Sequence, residues 1–196
     1  ALALARKGIA ATGLDLSEAM LTQAKAKSCH EPGLPIRFLH GDMRSFHLSE
    51  TVQLATCFFD AMNYNLRDED LLAAFKCTAA CLELNGLFVF DMNSVYALST
   101  VWGNKAFTED HGDVVYIWQN EYEPVTRTGT LTATFFVKHD ELYERFTEVH
   151  VERGYYIVEV IDLLGQAGFE ILEVARTDGL PAQETDVRHV YVARRT

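Results

Sequence analysis

Three acids stand where apolar runs give way to turns: Asp15 closes "GIAATGLD", Asp42 closes "IRFLHGD" and Asp60 closes "TVQLATCFFD". A carboxylate at such a junction offers two oxygens side by side, matched to two adjacent hydroxyl donors such as those of a ribose. Asp15 has a plainer use as a solvated strand-end acid or as an N-cap, and spacing alone does not separate the two. Asn63 and Tyr64 follow Asp60 closely and are polar contacts for a ligand held at that strand end. Downstream, "HVERGYYIVE" brings His150, Arg153 and Tyr156 together. Arg153 and Tyr156 have the chemistry to hydrogen-bond a substrate, or to pair with Glu148 or Glu159. Asp60 and His150 are the candidate general bases. No acidic trio or histidine cluster calls for a metal. His111, His139 and His150 are scattered, and none of Cys29, Cys57, Cys77 and Cys81 forms a Cys-x-x-Cys pair or sits at metal spacing from a histidine.

The elements that must position these groups alternate. Residues 8–15 read as a strand and 17–28 as a helix that Ser17 can cap. A Pro/Gly loop at 31–35 leads to a strand at 36–42, and 51–60 reads as a strand covered on both faces. Residues 68–84 carry apolar positions at helical spacing with acids in the first turn; Asn85-Gly86 closes that helix, and 87–93 is the next strand. Strand and helix in this rhythm predict a parallel α/β sheet with helices on both faces. From Ala106 to Arg153 the chain turns to Val, Tyr, Phe and Thr in alternation with polar residues, broken at "HGD", "EPVTRTG" and "HDE". That pattern predicts an antiparallel meander of three or four strands. A helix over 155–169, a strand at "EILEVAR" and a closing strand at 186–195 restore the α/β pattern. The expected organisation is therefore a core of residues 1–97 and 155–196 with an inserted β lid, 98–154.

Composition narrows the function. The 196 residues are 48% hydrophobic and 23% charged, typical of a globular protein. No apolar run approaches the roughly 20 residues of a membrane span. Net charge is −11, and residues 101–196 carry nine Lys/Arg against seventeen Asp/Glu. That potential disfavours nucleic acid and anionic lipid and favours a neutral or cationic ligand. Reduced cysteines and no leader-like start fit a cytoplasmic protein. Oligomeric state stays open, a homodimer included.

The runs "TGLDLSEAMLTQAKAK", "FLHGDMRSF", "LATCFFDAMNYN", "NGLFVFDMNS" and "LLGQAGFEILEV", in that order, resemble the class I S-adenosylmethionine-dependent methyltransferases across essentially the whole chain. The resemblance implies a Rossmann-like doubly wound sheet and S-adenosylmethionine as cofactor. It implies that Asp15 holds the adenosine ribose with Leu16 beside the adenine. Asp42 lies near the adenine amino group with Met43 beside the ring. Cys57 and Phe58 face the methionine portion, and Phe59 and Asp60 lie at the same strand end. The sequence opens at "ALALARKG", where the family's glycine-rich loop has already passed; its first strand and that loop are expected before Ala1. No "NPPY"-like turn marks a nucleobase amino methyltransferase. The small-molecule type is implied instead, with methyl transfer to N or O of an acceptor walled by Tyr116, Trp118, Tyr122, Phe135, Phe136 and Tyr143. Two other classes keep the fold without this activity: a cofactor-free binding or scaffolding protein, and a nicotinamide-dependent oxidoreductase.

Overall fold

The computed structural model describes residues 1–196. A short helix, α1 (Leu2–Ala5), precedes β1 (Ala11–Asp15), α2 (Glu18–Cys29) and β2 (Ile36–His40). Ser17 caps α2 as expected, its hydroxyl accepting the Met20 N–H at 3.2 Å. Then come β3 (Val52–Cys57), a 3₁₀ turn (Ala61–Tyr64), α3 (Asp68–Cys81) and β4 (Leu82–Asn93). The meander has four strands: β5 (Ala106–Asp110), β6 (Val114–Glu123), β7 (Thr128–His139) and β8 (Leu142–Arg153). Helix α4 (Ile157–Gln166), β9 (Phe169–Ala175) and β10 (Arg188–Arg195) complete the chain. The three turn signals of the meander all fall between its strands, and Gly168, at φ 85°, ends α4 as the sequence requires.

These strands form a Rossmann-like α/β assembly. Strands β1 and β2 pair in parallel, as do β3 and β4, while β10 runs antiparallel between β4 and β9. Alternation along β4 turns Phe88, Phe90 and Met92 toward α3 and α4, whose Leu71, Phe75, Val160 and Leu164 share one buried cluster with them. Aromatic rings fill its centre: Phe90 stacks on Phe88 at 4.5 Å and on Tyr191 at 4.9 Å between centroids.

Two local expectations change. Strand β3 is not covered on both faces: it pairs only with β4 and leaves Leu54 47% exposed. Helix α3 stops at Cys81, three residues early, because Asn85 and Gly86 act inside β4. There Asn85 sits at φ 65° and the β3–β4 register slips between Val52 and Leu54. A Cβ at Gly86 would lie 2.8 Å from the Glu83 carbonyl, so this kink requires glycine.

The meander forms its own antiparallel sheet, β5-β6-β7-β8, with β7 and β8 paired without a break from Thr128↔Arg153 to His139↔Leu142. At its near end one side chain ties three segments of backbone together. Asn63, on the 3₁₀ turn, is 0% exposed. Its amide donates to the Asn93 carbonyl at 2.9 Å and the Arg153 carbonyl at 2.8 Å, and its Oδ1 accepts the Asn93 N–H at 2.9 Å. The ends of β4 and β8 and the turn after β3 are thereby held at fixed spacing.

Two stability predictions follow from these packings. Phe90→Ala should destabilise the protein by about 3–5 kcal/mol, the cost of emptying a buried aromatic site. Asn63→Ala strands three backbone groups in a dry interior, which should cost about 3 kcal/mol. At this size that lowers the melting temperature by roughly 6–12 °C. Urea and thermal melts of the two variants measure both; a shift under 2 °C for Asn63→Ala would show that the brace is replaceable.

Candidate active site

The turn after β3, the carboxyl end of β4 and the near end of β8 meet on the α/β body, while β1 and β2 form a separate parallel pair with acids at and just beyond its carboxyl end. Asp15 ends β1, half-exposed; its Oδ1 accepts the Ser17 N–H at 2.8 Å, and its other oxygen makes no hydrogen bond within the protein. Leu16, next to it, is 65% exposed. Its carbonyl lies 2.9 Å from His40 Nε2, which fixes the backbone between β1 and α2. Asp42 lies two residues beyond β2 and is already engaged. Arg44 grips it with its guanidinium, at 2.6 Å for the shortest contact, and with its backbone N–H at 2.9 Å. That side-chain bond holds the Asp42 carboxyl below its ordinary range. Met43 packs against the main core, and its sulfur receives the Asn65 amide at 3.3 Å.

Cys57 ends β3; burial, with help from Asp91 and Asp60, pushes its thiol up to about 12, so it stays protonated and inert as a nucleophile. Phe58 is half-exposed beside it. Phe59 and Asp60 then sit consecutively at φ 62° and 54°, a left-handed pair that no glycine relieves. Neighbours hold it: the Asp60 N–H donates to Asp91 Oδ1 at 2.8 Å, and Arg188 forks between Asp60 Oδ1 at 2.8 Å and Asp91 Oδ1 at 3.0 Å. Asp60, a candidate base, is thus ion-paired through one of its oxygens.

Tyr64 follows Asn63 on the 3₁₀ turn. Its ring is half-exposed and its hydroxyl lies 2.8 Å from His150 Nδ1. On the far side of that ring, His150 Nε2 lies 3.3 Å from Glu148. Burial, reinforced by Glu152, pushes the Tyr64 hydroxyl up to about 12, so it remains a donor at neutral pH. Asn63 is corrected: it is buried, and both ends of its amide are spent on backbone, so it braces the site instead of facing a ligand. Arg153 is also redirected. It pairs with neither Glu148 nor Glu159 but binds Asp68 at 2.9 Å and the Leu66 carbonyl at 3.2 Å, over the face of Tyr155 at 4.5 Å. Tyr156 sits at the start of α4, where its N–H donates to Glu159 at 2.8 Å, and its ring lies under Arg127, 4.9 Å from the centroid. Arg127 takes Glu159 as well, at 2.7 Å.

Sequence reasoning missed three residues. Glu152, on β8, accepts the Asn93 amide at 2.8 Å and lies against Asp60; burial chiefly, then Asp60, pushes its carboxyl up to about 8. Asp91 and Arg188 complete the cluster. Asp91 had a signal, an acid inside the otherwise apolar "LFVFDMN"; Arg188 and Glu152 are brought in from distant segments and had none.

The pairing register sorts the aromatic residues of the meander. Glu152, His150 and Glu148 alternate onto one face of β8, across from Gly129, Leu131 and Ala133 of β7. That face continues into Tyr122, Asn120, Trp118 and Tyr116 of β6, and into Phe135 and Phe146. Tyr116 stacks on Trp118 at 4.9 Å and Phe135 on Phe146 at 5.1 Å. Phe136 and Tyr143 alternate onto the opposite face and do not join this wall. Polar groups therefore gather near the ends of β3 and β4, and aromatic rings lie farther out on the same surface.

A family profile described as a methyltransferase domain matches residues 1–86. The chain is 32% identical over 198 residues to the provisionally named methyltransferase GWCH70_2453 of Geobacillus sp. (strain WCH70), an alignment covering 100% of this chain and 79% of that one. It is 31% identical over 188 residues to the provisionally named methyltransferase YqeM of Bacillus subtilis (strain 168), covering 93% and 74%. The crystal structure of an S-adenosylmethionine-dependent methyltransferase from Clostridium acetobutylicum ATCC 824 superposes with a TM-score of 0.88 at 31% identity, over 94% of this chain and 74% of that one. Junction acids at the ends of parallel strands and relatives of this identity and coverage agree: the chain belongs to the class I S-adenosylmethionine-dependent methyltransferases.

Proposed function

We propose that this methyltransferase acts on N or O of a small molecule, with residues 98–154 standing over the transfer point as its acceptor-binding lid. The observation that carries the reading is the surface of β6–β8. It places Tyr64, His150 and Glu152 beside the end of β3, with a stacked aromatic wall outside them and no basic track leading in. A nucleic-acid substrate would require clustered Lys and Arg for its phosphates, whereas the second half of the chain is strongly acidic.

S-adenosylmethionine supplies a methyl group on a sulfonium, ready for in-line displacement. The residues at the strand ends fit its parts. Asp15 has a carboxylate oxygen free for ribose hydroxyls, and the exposed Leu16 and the thioether of Met43 offer apolar contact for a purine. Asp42 takes the purine amino group by sharing its carboxylate with Arg44. Cys57 and Phe58 line the side toward the methionine portion. Tyr64 and His150 orient the acceptor, and Arg153 and Tyr156 hold the lid to α3 and α4. The protein's contribution is chiefly positioning and exclusion of water.

In the full-length protein, Asp15→Ala should weaken S-adenosylmethionine binding by about 10- to 100-fold, since hydroxyl donors lose a charged acceptor worth roughly 1.5–3 kcal/mol. Calorimetry decides; affinity within twofold of wild type removes Asp15 from the ribose site. Absence of any cofactor binding by the wild-type protein would favour a scaffolding protein that keeps the fold. A methyl-transfer screen against amines, sugars, phenols and RNA tests the acceptor class. Turnover is expected on small molecules only, and salt-sensitive turnover confined to RNA would overturn the proposal.

A further inference from the structure

The group around Glu152 has a charge pattern and a hydrogen-bond pattern that the reading above does not use. Arg188 carries one positive charge between Asp60 and Asp91, and Glu152 adds a third carboxyl against Asp60. Asn93 is 3% exposed; its Nδ2 donates to Glu152, while its Oδ1 is buried with no hydrogen-bond partner. A buried acceptor without a donor, on an amide whose other end touches an anionic cluster, marks a place for a group that brings both hydrogen-bond donors and positive charge.

We propose that Glu152, Asp60 and the Asn93 side-chain carbonyl receive the ammonium form of the methyl acceptor, so that the acceptor is a primary or secondary amine. This rests on the small-molecule reading and narrows it. An alkylammonium has two or three N–H donors and one charge, matching two carboxyls and one amide oxygen. A hydroxyl offers a single donor and no charge. No group of three or more His, Cys, Asp or Glu is placed to hold a metal ion, so the cation this cluster suits is organic. His150, two residues along the same face of β8, and the half-exposed Tyr64 ring beside it then flank the body of the amine.

Glu152, as carboxylate, takes a proton from the bound ammonium and leaves a neutral amine. The nitrogen lone pair forms the N–C bond as the S–C bond of the sulfonium breaks, its electron pair staying on sulfur. The products are S-adenosylhomocysteine and an N-methylammonium. The groups that face Glu152 set its titration: Asp60 from the turn after β3, Tyr64 from the 3₁₀ turn, Asn93 and Asp91 from β4, Arg188 from β10, and His150 and Glu148 on β8 itself. Burial and the neighbouring Asp60 hold the Glu152 carboxyl well above the usual carboxylate range, so an ammonium arriving at neutral pH displaces a proton.

Matched probes test this with the full-length enzyme: 2-phenylethylamine and 2-phenylethanol, which differ only in the donor group. Methyl transfer to the amine and none to the alcohol is expected. In Glu152→Gln, which keeps size and hydrogen-bonding shape, kcat/KM for the amine should fall about tenfold or more, with the melting temperature unchanged. Calorimetry of 2-phenylethylamine binding at pH 7, in two buffers of different ionisation heat with S-adenosylhomocysteine present, should show proton release in the wild type and none in Glu152→Gln. A merely structural Glu152 would not produce that difference. The inference is overturned by absence of amine binding, by equal use of the alcohol, or by a Glu152→Gln variant within twofold of wild type. Turnover of the alcohol alone would remove the amine receptor and leave a small-molecule methyltransferase standing; turnover of RNA alone would remove both.

Discussion

One carboxamide sets the geometry on which the rest of the site depends. Asn63 lies where the turn leaving β3, the end of β4 and the end of β8 meet, and it hydrogen-bonds the backbone of two of them from the third. Helices and strands can bury apolar faces at many relative distances, but three amide contacts at 2.8–2.9 Å admit little slack. The strain of the left-handed Phe59–Asp60 pair is tolerated because Asn63 on one side and the Arg188 fork on the other over-determine it. A turn held this way keeps Tyr64 within 2.8 Å of a histidine 86 residues later in the chain.

Around that point the molecule divides its tasks. The α/β body, with its stacked Phe88, Phe90 and Tyr191, supplies rigidity and a row of strand ends that suit a nucleotide-bearing cofactor. The four-stranded sheet supplies a surface whose chemistry changes along its length: carboxyl and imidazole groups near the body, aromatic rings beyond. Arg153 to Asp68 and Arg127 to Glu159 pin that surface to α3 and α4, at the two flanks of Asn63's contact. Ion pairs of this kind contribute little to stability when exposed. Here their use is orientation.

Much of this could be read from the sequence, for identifiable reasons. Period-two alternation with turn residues at "HGD", "EPVTRTG" and "HDE" located the meander as three or four strands, and the four observed strands are separated at those turns, because each turn type demands its own residues. The Asn85-Gly86 signal was read correctly as a backbone break and placed in the wrong element, since a left-handed residue serves a strand kink as well as a helix end. Tyr64 and His150 were legible as chemistry-bearing types. Asn63 was misread because an amide near a strand end has the same identity whether it points to a ligand or into the protein; only burial separates the two. Glu152 and Arg188 act through neighbours far away in the chain, and such pairings leave no local trace.

The Asn63 brace touches only main-chain atoms of residues 93 and 153. The brace is therefore indifferent to which side chains those two positions carry. Asn93 sends its amide into the cluster beside Asp60, where a different side chain would leave the main-chain bonds of the brace in place, whereas Arg153 reaches to α3 and shares in holding the joint. Acceptor preference and architectural integrity are in this sense separately heritable. Replacements at 93 or 152 can therefore alter the chemistry beside Asp60 while the main-chain atoms that the brace holds stay the same.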